Sequence, residues 1–146
     1  MLALAQLLAI LATTFFAGAA IYVNLVEHPA RMGCSTEIAA TVWAPSYKRA
    51  TVMQASLAIV GSLAGVAAWL LGASVMWLLG ALFIFAVVPV TLIVIFPTNN
   101  RLLATDRNLA SPETRELLVR WGQLHAIRSV LSLIASVIYV WLLVGA

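Results

Sequence analysis

Two histidines, an arginine set in an apolar run and a handful of amides are the groups through which this chain could do chemistry. The stretch Trp121-Gly-Gln-Leu-His125-Ala-Ile-Arg128-Ser129 puts an imidazole and a guanidinium one helical turn apart, on the same face. Imidazole titrates near neutrality and suits a base. Arg128 and the Asn99 amide suit a second task, donating to a developing oxyanion in a dry site. His125 is the first candidate base and His28 the second. A different chemistry uses His28, His125 and Glu27 as ligands, either as a facial set for non-haem iron, as a copper site, or as a bis-histidine haem site across a helical bundle. Asn24, Trp43, Tyr47, Gln54, Asn100 and Trp121 are the remaining groups that could line a binding site.

The elements that must position these residues are membrane spans. The chain is 64% hydrophobic and 9% charged, with a mean hydropathy of +1.07, where a soluble domain carries about 25% charged residues. Its 146 residues suffice for one domain. The net charge of +3 is small and confined to loops, which fits topology and anionic headgroups and not nucleic acid. Cys34 stands alone, so there is no intramolecular disulfide and no paired-cysteine motif for zinc or covalent haem. The first 20 or so residues have no basic n-region and their apolar run continues to Val26, so they read as a span and not as a cleaved signal.

Four spans are expected, at about residues 2–26, 51–71, 74–96 and 123–144, forming one transmembrane domain over 1–146. Ser111-Pro112-Glu113 is a helix start, with a hydroxyl cap, proline at the first position and a carboxylate at the positive end of the dipole. Helix four therefore reaches back to about 112, and its first turns stand outside the ~30 Å hydrocarbon core. Counting back about 20 residues from Val144 places His125 near the membrane boundary and Arg128 about one turn inside. His125, Ser129, Ser132 and Ser136 then form one polar stripe, extended by Trp121 and Tyr139. A histidine and an arginine at that depth must face protein or a watery cavity.

Pro29 should end helix one at His28, and Pro97 should end helix three at Phe96. Residues 30–50 read as a mixed loop whose Trp43 and Tyr47 either mark an interfacial segment or lid a pocket. Pro89 should kink helix three, with Thr91 available for local compensation. Gly61, Gly65, Ala68 and Gly72 give helix two a smooth face, and Gly72-Ala73 leaves room only for a tight hairpin.

The expected architecture is thus all-α, an integral membrane four-helix bundle with both long loops on one face. Seven of the eight basic residues lie in those loops or at their helical borders. The positive-inside rule puts the loops in the cytoplasm and the termini on the outer side of the cell (inner) membrane. Asn24, Glu27, His28, Gln54, Asn99, Asn100, Trp121, His125 and Arg128 then meet at one level.

Laid out in this way, the chain resembles the anthrone oxygenase-like family of small four-span membrane proteins. The matching pieces are Asn24-Leu-Val-Glu-His28-Pro29, Trp43-x-Pro45-x-Tyr47, Pro89-x-Thr91, Ile95-Phe-Pro97-Thr-Asn99-Asn-Arg-Leu and Trp121-Gly-x-Leu-His125-x-x-Arg128, in that order. The resemblance implies oxidation of an anthrone-type or other phenolic aromatic substrate to a quinone by O2. On that reading the partners are the lipid bilayer, a hydrophobic aromatic small molecule and O2. No nucleic acid is involved, and the chain acts singly or as a homo-oligomer. No cofactor is required, with metal or haem at His28 and His125 as the alternative. The other class of function is a non-catalytic or haem/metal-binding module that holds a lipid, a quinone or a protein partner. Transport is the weakest reading, since too few helices are present for a two-repeat transporter.

Overall fold

The computed structural model describes residues 1–145. The described residues form four long helices: α1 (Leu2–Met32), α2 (Thr36–Leu70), α3 (Met76–Leu103) and α4 (Pro112–Val144). Each is long and apolar enough to cross a membrane, so this is a multi-pass membrane protein built as an all-α four-helix bundle. Each helix packs on its neighbour in the chain, and α4 closes the ring by packing on α1.

The helices begin and turn where local chemistry demands it. Ser111 caps α4, its hydroxyl accepting from the Thr114 amide at 3.2 Å, with Pro112 next in the chain. Ser35 does the same for α2 through Ile38. At the hairpin between α2 and α3, Gly72 has φ +98°, the left-handed region that glycine alone enters cheaply.

Three prolines behave differently from the sequence expectation. Residues 30–50 are not a loop: α2 starts at Thr36 and passes through Pro45. Pro45 stands on an exposed face, so the Thr41 carbonyl it leaves without an α-helical partner does not fall in the core. Helix one does not stop at His28, nor helix three at Phe96. Each passes its proline through a π turn, at Val23–Glu27 in α1 and Val90–Ile95 in α3. In both, the amide just before the proline reaches back five residues, from His28 to Val23 and from Phe96 to Thr91. The wider turn absorbs the extra residue and moves the pyrrolidine ring away from the carbonyl it would otherwise strike. Thr91 Oγ1 donates to the Val87 carbonyl at 2.7 Å, an ordinary one-turn back-bond, and not to the Phe85 carbonyl that Pro89 leaves without an amide partner.

The half of the bundle away from the site is locked by one side chain. Tyr139 is fully buried, stacks on Trp77 with ring centroids 5.1 Å apart, and donates to the Gly61 carbonyl at 3.4 Å. Its ring occupies the notch left by glycines: a Cβ on Gly65 would lie 1.9 Å from the Tyr139 hydroxyl, and one on Gly80 would lie 2.4 Å from the ring. The smooth face of α2 is therefore a socket for an aromatic side chain of α4. Gly65→Ala should lower unfolding free energy in detergent by about 1–3 kcal/mol through overpacking. Gly18→Ala, where a Cβ meets nothing within 4 Å, should be neutral or stabilise by up to ~1 kcal/mol. Equal effects of the two substitutions on the denaturation midpoint would contradict the socket.

Candidate active site

The site lies where the π turn of α1, the first half of α2 and the middle of α4 meet. Over α4 the polar stripe faces inward: Trp121, His125, Arg128, Ser129, Ser132, Ser136 and Tyr139 are all buried. On α2, Trp43, Tyr47, Ala50, Thr51 and Gln54 recur at helical spacing and line a small cavity of about 20 Å³. Val23, Glu27 and Arg31 close it from α1, and Trp121, His125 and Arg128 from α4.

Asn24 sets the state of His125. The π turn winds more slowly than an α-helix, so over its length the following residues lag by about one position and His28 and Arg31 return to the buried face. Asn24 Nδ2 donates to the Gly122 carbonyl at 2.9 Å, which turns its Oδ1 toward α4. That oxygen accepts from the Ser129 hydroxyl at 2.6 Å and lies 2.7 Å from His125 Nδ1. An amide oxygen has no proton to give, so Nδ1 is the protonated nitrogen and Nε2 carries the lone pair. The hydrogen bonds among the described residues leave Nε2 free, on a ring that lines the cavity.

Arg128 supplies the charge. It is 7% exposed, donates from Nη2 to Gln54 Oε1 at 2.6 Å, and sits 5.4 Å above the centre of the Phe16 ring. The ion pairs among the described residues are Arg31–Glu27, Arg101–Glu113 and Arg107–Glu113, so Arg128 has no carboxylate. Its Nε and the Nε2 of Gln54 are buried without hydrogen-bond partners. A cation held in this way, in low dielectric with donors to spare, is a receptor for an anion.

Aromatic rings complete the walls. Trp43 stacks on Tyr47 with centroids 5.0 Å apart and 6° between planes, and meets Trp121 edge-on at 5.7 Å. Trp121 in turn packs against both imidazoles, 4.8 Å from His125 and 5.1 Å from His28.

The residues picked out from sequence divide into three groups. His125, Arg128, Trp43, Tyr47, Gln54 and Trp121 line the cavity. Asn24, His28 and Asn99 stand behind it. His28 fills the space beside Gly122, where a Cβ would lie 2.6 Å from its ring. The Asn99 amide, expected to face an oxyanion, instead donates to the Tyr47 hydroxyl at 3.0 Å and so steadies a wall. Asn100 points away from the site and is exposed, because it follows Asn99 on a helix and not on a loop. Trp43 is buried and does not belong to an interfacial belt. Glu27 accepts from both Arg31 and Ser46. Among the described residues no three of His, Cys, Asp and Glu gather as a metal-holding group, so Glu27, His28 and His125 do not form the facial set.

Arg31 and Ser46 were not anticipated as lining residues. Glu27 and Arg31 are four apart, the spacing of a helical ion pair, but that signal counts only if the helix continues beyond Pro29. Ser46 follows from a helix through Pro45 in the same way.

Comparison with known proteins identifies the family. The sequence matches the protein family described as Anthrone oxygenase over residues 43–138, well over half of the chain and inclusive of Trp43, Tyr47, Gln54, Trp121, His125 and Arg128. A curated relative from Aspergillus fumigatus, anthrone oxygenase tpcL, is 48% identical over 56 residues. That alignment covers 36% of this chain and 35% of the relative. No solved structure matches the chain. The chain belongs to the anthrone oxygenase family.

Proposed function

We propose that this protein oxidises an anthrone-type or related phenolic aromatic substrate with O2, without a resident cofactor, in the half of the membrane nearest the basic end of the bundle. The observation that carries the reading is one cavity lined by an imidazole with a free Nε2 and a buried arginine that makes no ion pair among the described residues. A base and an anion receptor are what deprotonation beside a carbonyl requires.

The steps balance on the chain's own groups and O2. His125 Nε2 takes a proton from the methylene that lies between the aryl rings, opposite the ketone. The C–H electron pair moves into the ring system, and the enolate oxygen is held by Arg128, with Gln54 beside it. This electron-rich anion passes one electron to O2, and the resulting pair recombines to form a C–O bond. The imidazolium returns its proton to the peroxide. Loss of the second methylene hydrogen as a proton, with cleavage of the O–O bond, then releases water and leaves the quinone. One anthrone and one O2 give one quinone and one water. Asn24 acts through His125: it fixes which nitrogen is free and steadies the imidazolium by accepting from Nδ1. Seven of the eight basic residues lie on or beside the site end of the bundle, and by the positive-inside rule this supports a reading with that end at the cytoplasmic side of the cell (inner) membrane and the termini outward.

The test is an anthrone supplied to the purified protein in vesicles, with O2 uptake and quinone absorbance followed together. Equimolar consumption and formation is the expected result. A stoichiometric metal, or a Soret band that tracks activity, would overturn the cofactor-free mechanism. His125→Ala should lower kcat by about 10²–10⁴-fold while the protein stays folded by circular dichroism. Asn24→Ala should reduce kcat by roughly 10–100-fold with KM nearly unchanged, the pattern of a residue that works through the base and does not touch substrate. A loss in KM alone would remove Asn24 from this role.

A further inference from the structure

Arg128 and Gln54 also face a second cavity. It has a volume of about 140 Å³, lies between α2 and α3, and shares Thr51, Gln54 and Arg128 with the inner one. Its outer rim carries Ala55 and Leu92, exposed on spanning helices and therefore turned toward lipid. Its floor is apolar, from Phe16, Ala58 and Val87. Small side chains on α2, Ala55 and Ala58, face the π turn of α3, which carries Thr91 and Leu92, across this gap. The feature differs from the groove of about 400 Å³ between α1 and α2, which apolar side chains alone line.

We propose that this cavity is a lateral binding vestibule, open to the bilayer, that takes one ring of a polycyclic aromatic substrate, with the Gln54–Arg128 hydrogen bond as the gate to the inner cavity. The proposal rests on the aromatic-oxygenase reading above and supplies its route of access. Size favours a ring: a cavity of about 150 Å³ with apolar walls holds one benzene. The inner cavity has room for about one water, so a fused aromatic must displace the wall between the two. That wall is made by the three shared residues, Thr51, Gln54 and Arg128, and the Gln54–Arg128 pair is its hydrogen-bonded part. Gln54 is 2% and Arg128 7% exposed, and each keeps an unpartnered nitrogen, Gln54 Nε2 and Arg128 Nε. These are the donors that a carbonyl or enolate oxygen would meet on its way in.

The experiment uses the full chain in phosphatidylcholine nanodiscs. Radiolabelled anthracene, an unreactive three-ring probe, is measured as retention above that of empty nanodiscs, and anthrone turnover is measured in parallel. Wild type should bind anthracene saturably. Ala55→Phe should weaken that binding and lower kcat/KM by about tenfold or more, with kcat within about twofold. Leu92→Trp, on the facing helix, should do the same and keeps the test open if the first variant misfolds. Leu4→Phe, in the all-apolar groove, should change neither. Gln54→Glu, which pairs a carboxylate with Arg128 and holds the gate shut, should reduce turnover by about tenfold or more and leave anthracene affinity within about twofold. Anthrone turnover that neither rim variant affects would overturn the vestibule and leave the oxygenase reading intact. Saturable anthracene binding that the rim variants abolish, without any turnover by wild type, would do the reverse. Retention that does not saturate would mean that acyl chains fill the cavity, and would also overturn the proposal.

Discussion

A guanidinium within a lipid-spanning bundle, with no carboxylate beside it, is the constraint on which the rest of the site depends. Arginine remains charged in proteins, and a charge at membrane depth must be solvated by protein if not by water. Here the protein supplies one amide oxygen, from Gln54, and the face of Phe16. A nearby acid would satisfy Arg128 and silence it. The nearest ion pair, Arg31 with Glu27, is instead closed upon itself with Ser46, so its carboxylate does not quench the arginine deeper in the bundle. An unpaired positive charge in a low-dielectric site is the kind of group that can stabilise an anion.

The packing divides the molecule into two halves with different duties. Toward the hairpin, Tyr139 in its glycine socket and Trp77 give a rigid base. Toward the site, aromatic and imidazole rings pass from Tyr47 through Trp43 and Trp121 to His125 and His28. Asn24 joins α1 to α4 between these halves with one side chain that meets a carbonyl, a hydroxyl and an imidazole. In α1 this cross-link sits where the helix is distorted. This is economical, since a π turn has already given up the regular register that such a cross-link would disturb.

Much of this was legible in the residues. The inward stripe of α4 follows from a spacing of four, three and four, and the Ser111 cap from a local hydroxyl-proline-acid pattern. His125 beside Arg128 needed only helical periodicity, and the family follows from pieces spread along the chain in order. What could not be seen was the passage of a helix through Pro29, Pro45 and Pro97. The rule that proline stops a helix is local, and it is overridden when a π turn or an exposed carbonyl absorbs the missing bond. That local rule hid Ser46 and Arg31, left Trp43 open between an interfacial segment and a pocket wall, and turned Asn100 inward with Asn99. The tautomer of His125 was equally out of reach, since it depends on which way the Asn24 amide faces across 101 residues of chain.

The roof of the cavity is a helix and not a flexible loop, because α2 runs unbroken over Trp43, Tyr47 and Gln54. Opening it toward water would mean breaking several main-chain hydrogen bonds, whereas the outer cavity already faces hydrocarbon between α2 and α3. A solute that arrives by that side is drawn from the leaflet, where apolar molecules are enriched over the aqueous phase. Affinity would then be governed by mole fraction in the lipid. Half-saturation expressed per volume of buffer would shift with the amount of membrane present, with no change in the protein at all.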